Sequence, residues 1–364
     1  MKLFKSLLVA PATLGLLAPL SATANELNLN DVSGYSSSEE IQNISEFNPA
    51  EELAVTNSRV DGLEARFNNF EAGGFSETTS ASFGVDFVVG AEDGAASEAT
   101  SFGYQMGIGL ETSFTGEDSL SATIDIGDGV SGALAFDDTD DVLTLDGLTY
   151  TFPVGGATAM VGDSTDISAV YTGACAYSAF TDYMGNCGTG NSNGVGGNGA
   201  TAAMSYAFDS GFSLAGGVSS SNSSILTAEG TDTYGIEAAY SGDSYGVSVA
   251  YTDAETTTYW GINGNYAFDF ATLSAGVESA DADASDTATG FFVGLSFADV
   301  GAGSLDIGMG TTANFADADT EYYTYEASYA YPVNDGITIT PGVYIVEQDG
   351  DDVTGVAVKT SFSF

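Results

Sequence analysis

From Phe75 to the last residue, apolar side chains alternate with small or polar ones at a period of two, the spacing that sends successive side chains to opposite faces of a β-strand. The clearest run sets Phe102, Tyr104, Met106, Ile108, Leu110, Thr112 and Phe114 against Gly103, Gln105, Gly107, Gly109, Glu111 and Ser113. The alternation recurs at Phe83 to Val89, Leu120 to Ile126, Tyr245 to Tyr251, Phe291 to Phe297, Tyr323 to Tyr331, Ile337 to Ile345 and Val356 to Phe364. Upstream the period changes. Leu53, Thr56, Val60, Leu63, Phe67 and Phe70 recur at spacings of three and four, and the stripe ends at Gly73-Gly74. Asn48, Pro49 and Glu51 supply an N-cap, a first-turn proline and a capping-box partner. This predicts an amphipathic helix or short coiled coil over 48–72, after a polar linker over 25–47.

Counting strands from residue 75 gives sixteen. Connections after even-numbered strands are short: Gly116 to Asp118, Pro153 to Gly155, Asp209 to Gly211, Ser241 to Asp243, Asp269-Phe270, Ala298 to Ala302 and Pro332 to Asp335. Those after odd-numbered strands are mostly longer and acidic, about 91–100, 127–141, 164–199, 219–231, 253–256, 280–287, 314–320 and 347–352. A soluble sandwich also alternates, but an even strand number with short turns at one end and long loops at the other is the mark of an outer-membrane barrel. The expected fold is therefore all-β: a 16-stranded antiparallel transmembrane β-barrel over 73–364 behind a short periplasmic helix. Strand four slips parity at Asp146-Gly147, where a bulge is expected.

Charge sharpens this picture. The chain has 51 Asp and Glu against 5 Lys and Arg, a net charge of −46, and no histidine. The missing imidazole removes Ser-His-Asp and Cys-His nucleophilic sites and His-ligated metal centres, so an enzyme is not expected. So few cations exclude a groove that tracks nucleic-acid phosphates. Strand parity places Asp86, Glu111, Asp125, Glu237, Glu278, Asp306 and Glu326 on the polar, inward face, together with Lys359. A carboxylate there is hydrated, whereas on the lipid face it is costly. Tyr and Phe crowd the strand ends on the other face, as interfacial girdles do.

At the N-terminus, Lys2 and Lys5, an apolar stretch from Leu7 to Leu20 and Ala22-Thr23-Ala24 compose a signal peptide over 1–24 with cleavage expected after Ala24. Export to an oxidising compartment makes Cys175 and Cys187, the only cysteines, a disulfide pair within loop 164–199.

Five segments carry a family resemblance: MKLF…LLVAPATLGLLAPL at the start, LNLNDVSGYSSSEEIQNISEF, RVDGLEAR at Arg59 to Arg66, TSFTG at Thr112 to Gly116 and LTYTFPVG at Leu148 to Gly155. The chain resembles the cyanobacterial outer-membrane porins of the carbohydrate-selective porin family, some of which are described as iron-uptake porins. Family members usually carry an S-layer-homology domain before the helix. Here Phe47 leads almost directly to Pro49, so docking to cell-wall polysaccharide is not carried over.

The resemblance implies a water-filled pore for passive diffusion of small hydrophilic solutes and ions, with sugars or iron as the family's cargoes. The acidity implies a preference for cations. By analogy with general porins, the third long loop folds inward and brings Asp163, Asp166 and Asp182 to a constriction; the other reading is an external loop with a surface staple. Expected partners are outer-membrane lipid and lipopolysaccharide, two further copies in a homotrimer, and the barrel-insertion machinery that reads a terminal aromatic strand, here Phe362 and Phe364. No cofactor is expected beyond weak Ca²⁺ or Mg²⁺ at Asp281, Asp283 and Asp286 or at Asp349, Asp351 and Asp352. The alternative function is an acidic surface adhesin or envelope structural protein.

Overall fold

The computed structural model describes residues 78–95, 99–128, 139–193, 199–221, 224–227, 230–283, 287–312 and 321–364. The signal peptide, linker and helix expected before residue 73, and Asp286, lie outside the described residues.

Sixteen strands follow one another: β1 Thr79–Asp93, β2 Ser101–Thr112, β3 Ser119–Asp128, β4 Thr144–Val154, β5 Ala157–Thr165, β6 Gly199–Ala207, β7 Phe212–Ser220 and β8 Asp232–Ser241. They continue with β9 Tyr245–Asp253, β10 Thr257–Ala267, β11 Thr272–Ala282, β12 Ala288–Val300, β13 Gly303–Thr311, β14 Tyr323–Asn334, β15 Ile337–Val346 and β16 Val353–Ser363. Each pairs with its chain neighbours and β1 pairs antiparallel with β16, closing the barrel. Closure leaves no sheet edge, which a lipid-embedded sheet requires because hydrocarbon satisfies no backbone donor or acceptor.

Register explains why this alternation builds a barrel. Phe87 pairs with Tyr104 and Phe83 with Ile108, while Gly107 pairs with Asp125. Apolar positions thus meet apolar positions on the outer face, and Phe83, Phe87, Ile236, Val249, Ile262 and Ile307 are exposed there. Aromatic side chains interlock near the short turns, in the contacts Phe114–Tyr150–Phe152, Tyr206–Phe208, Phe212–Tyr240–Tyr245 and Tyr266–Phe268–Phe270. This is the girdle expected at a membrane interface. Gly155 and Gly211, with φ of 64° and 85°, supply left-handed backbone in two of those turns.

The bulge at Asp146 is present: Thr123 pairs with Gly147 and Ile124 with Leu145, leaving Asp146 as the extra residue. A second bulge was not anticipated. Gly162 pairs with Thr201 but Thr165 pairs with Gly199, and Ser164 adopts φ 52°. Two expected turns also begin later, because pairing continues past a bulge to Val300 in β12 and to Asn334 in β14.

Candidate functional site: a loop laid along the inner wall

Residues 166–193, which follow β5, line the barrel interior. After Thr165 comes a 3-10 turn at Ile167–Val170, capped by Asp166, whose carboxylate accepts from Ser168 N at 2.7 Å. Ile167 is fully buried against Met160 and Ala203. The chain then crosses the wall strand by strand. Thr172 N and Gly173 N donate to Glu237 of β8 at 2.7 and 2.8 Å. Ala174 N donates to Asn263 Oδ1 of β10, and Ala176 N to Ser274 Oγ of β11. At the far end, Phe180 N, Thr181 N, Thr181 Oγ1 and Tyr177 OH all donate to Glu326 of β14, over 2.5 to 2.9 Å.

The return leg passes through a second 3-10 segment, Asp182–Gly188. Asn191 Nδ2 and Ser192 N donate to Glu278 of β11, while Thr252 Oγ1 of β9 donates to Ser192 O at 2.7 Å. A disulfide ties the two legs, Cys175 to Cys187, with their Cα atoms 5.6 Å apart.

The wall is shaped for this contact. A Cβ at Gly294 or Gly308 would come within 2.5 or 2.6 Å of Tyr177, and one at Gly342 within 2.4 Å of Phe180. Any larger residue would displace the loop, so these inward positions accept glycine alone without a shift. Met184 and Cys187 pack on Phe292, and Phe180 packs with Val88 and Tyr344 in a cluster at β1, β15 and β16.

These contacts redistribute the expected lumen charges. Glu237, Glu278 and Glu326 do face inward, but they are covered: their exposures are 1%, 1% and 4%. They hold the loop instead of bordering open water, since backbone N–H groups occupy the space beside them. Asp306 is also buried and accepts from Ser296 Oγ at 2.5 Å. Asp86 and Lys359 lie inward on β1 and β16 and are half-buried; Asp125 is buried on β3; Glu111 is exposed near the short turn and accepts from Ser119 Oγ.

Of the three loop aspartates, Asp182 is exposed on the return leg and Asp166 is spent as a turn cap. Asp163 is a correction. It lies in β5, pairs with Leu148 and shares the outer face with that exposed leucine. The bulge at Ser164 delays the loop by two residues, and Asp163 accepts from Ser164 N at 2.7 Å. Among the described residues, no three His, Cys, Asp or Glu side chains converge as metal ligands. Phe362 and Phe364 are on the outer side of the closing strand pair, in contact with Phe87 and Phe83.

A closed barrel of sixteen strands with its third long loop folded inside is a porin architecture, and the sequence agrees: the pattern of the Gram-negative porin family matches residues 65–351. The chain belongs to the Gram-negative porin family. The porin fold is shared with an anion-selective porin from Comamonas acidovorans, at a TM-score of 0.61 and 14% identity, over 79% of this chain and all of that one. A mutant of the Rh. blastica porin matches at a TM-score of 0.53 and 16% identity, over the same shares. An uncharacterized protein of Nostoc sp. is 40% identical over 94 residues, 25% of this porin and 16% of that protein's length. The porin spans a small part of that relative. Membership makes it a non-enzymatic channel of the outer membrane that passes small solutes.

Proposed function

We propose that this porin is a cation-preferring channel for small hydrophilic solutes and inorganic ions. The observation that carries the reading is the charge facing the lumen. Asp86, Glu111 and the exposed Asp182 are opposed by one cation, Lys359, the sole Lys or Arg from residue 73 onward. A low-dielectric wall focuses such a field, concentrating cations and depleting anions along the path. The likeness to an anion-selective porin, at 14% identity, carries the fold and not the selectivity. Sugar or iron cargo rests on the resemblance to cyanobacterial porins. Three copies joined through helix 48–72, a surface facing lipopolysaccharide, and weak divalent binding at Asp349, Asp351 and Asp352 complete the proposal.

The test is the reversal potential of the purified porin in a planar bilayer under a KCl gradient. A potential of the sign set by K⁺ supports the reading, and one set by Cl⁻ overturns it.

A further inference from the structure

Both cysteines lie against the inner wall of the barrel. Cys187 is fully buried with Met184 on Phe292 of β12, and Cys175 packs on the same cluster. The backbone on either side of Cys175 is engaged: Ala174 N donates to Asn263 Oδ1 of β10 and Ala176 N to Ser274 Oγ of β11. Cys187 is seated as closely, because a Cβ on Gly276 of β11 would collide with its carbonyl oxygen. Asn186, Cys187 and Gly188 all hold left-handed backbone, at φ of 49°, 53° and 68°, and the first two do so without glycine's freedom.

We infer that the Cys175–Cys187 bridge is made on the unassembled chain by a protein thiol oxidase of the envelope, and that closing β1 onto β16 then seals it from protein thiols. The inference rests on export to the outer membrane and is independent of which ions or solutes the porin passes.

The chemistry fixes what the partner must be. Two thiols joining as one disulfide give up two protons and two electrons, and the oxidant is the partner's own disulfide. A thiolate of Cys175 or Cys187 attacks one sulfur of that disulfide, forming a mixed disulfide and freeing the partner's other sulfur as a thiolate. The second porin thiolate then attacks the porin sulfur of the mixed bond. The bridge closes, and the partner leaves as a dithiol whose two sulfurs take up the two protons. The chain has two cysteines in all, so it brings no oxidising disulfide of its own.

That exchange needs a loop which the finished barrel does not offer. A protein oxidant must bring its sulfur within bonding distance of a cysteine presented on free chain. In the barrel the chain at both cysteines is bonded to or packed on the wall, and sixteen closed strands surround it. Cys187 meets a partner only by leaving Phe292 and undoing the left-handed turn. The unassembled chain has no such barrier. Its cysteines are 12 residues apart, and ends of a segment that short meet within about 10–100 ns. Oxidation therefore comes first and the seam last, so the wall closes around a loop whose two legs are already joined.

The experiment has two arms. In the first, newly made full-length porin is followed by pulse-labelling in cells, with free thiols alkylated at intervals and the folded barrel identified by heat-modifiable migration. Every folded molecule is expected to be bridged from the earliest time, with free thiols confined to the unfolded pool. A thiol oxidase lacking its resolving cysteine is expected to capture that pool as a mixed disulfide. Folded porin that carries free thiols and becomes bridged later overturns the order, and absence of a captured species overturns the partner. In the second arm, reduced thioredoxin, a protein dithiol, is added to purified native porin and to the same porin unfolded in urea. The native bridge is expected to be reduced at least about a hundredfold more slowly, because attack waits on opening of the barrel. Equal rates overturn the seal. Neither arm reads conductance, so failure of either leaves the channel assignment standing.

Discussion

Phe83 and Phe364 exchange both main-chain hydrogen bonds, Phe83 N to Phe364 O at 2.9 Å and Phe364 N to Phe83 O at 3.1 Å, with their rings stacked at 5.7 Å. The final residue is thus the last rung of the seam that closes the barrel. Phe362 adds an edge contact to Phe87 on the same seam.

Removing Phe362, Ser363 and Phe364 deletes the end of the β1–β16 register, where Phe362 pairs with Val85 and Ser363 with Gly84. An unclosed seam exposes backbone groups to lipid at a cost of several kcal/mol each. Truncation after Ser361 is expected to reduce folded barrel in the outer membrane severalfold while leaving export intact. Heat-modifiable gel migration of outer-membrane and periplasmic fractions measures both. Normal folded levels would mean that the seam tolerates loss of its last rungs.

The disulfide joins residues 12 apart in sequence that lie on opposite legs of the loop. Closing a loop of that size removes roughly 3 kcal/mol of unfolded-state entropy in the chain-entropy model. The barrel seam and ladders do not depend on it. Cys175→Ser with Cys187→Ser is therefore expected to leave barrel assembly unchanged while the loop gains freedom, read as increased open-channel current noise and faster protease cleavage within 166–193. Unchanged noise and cleavage would show that the three glutamates and the glycine seats suffice.

Strand count, turn asymmetry and the Asp146 bulge were legible in the sequence because each follows from a period-two pattern and its interruptions. The fate of Glu237, Glu278 and Glu326 was not. Parity says that they point inward, but only the path of a loop 64 to 149 residues away in sequence decides whether water or peptide N–H meets them. A trace of that path is present: Gly235, Gly276 and Gly308 flank the three glutamates on inward positions, where side chains would block a resting loop. Asp163 was misplaced for a local reason. A bulge at a non-glycine residue, Ser164, carries no composition signal, so the alternation does not reveal that the strand runs on to Thr165.

Asp118, in the turn between β2 and β3, gathers Ser113 Oγ, Phe114 N, Thr115 N, Thr115 Oγ1 and Tyr150 OH around one carboxylate. Burial raises its pKa, but these five donors outweigh burial and hold it well below the usual carboxylate range. Because the folded value is depressed, its stabilisation is fully present above the unfolded carboxylate pKa and is lost only as pH falls below that toward the folded value. Asp118→Asn is expected to lower the melting temperature at neutral pH, with the gap from wild type shrinking below about pH 4. A gap that is constant with pH would assign the loss to geometry instead of charge.

Lys359 faces the lumen from β16, between Thr340 of β15 and Val88 of β1, and makes no ion pair among the described residues. Asp86 is two positions along the neighbouring strand and also inward. A lone ammonium on an otherwise acidic wall repels permeating cations and attracts anions, so Lys359→Gln is expected to raise the cation-to-anion permeability ratio and Asp86→Asn to lower it. At 4 Å in water one unit charge is worth about 1 kcal/mol, a factor of about five, and an ion nearer the pore axis feels less. A change of about twofold is therefore expected at 0.1 M salt, where the screening length is about 10 Å, and almost none at 1 M, where it is about 3 Å. Reversal potentials of the two variants at both salt concentrations decide it. Shifts of equal size at low and high salt would mean that the substitutions reshape the pore instead of altering its potential. Shifts of the same sign in both variants would remove Lys359 and Asp86 from the permeation path.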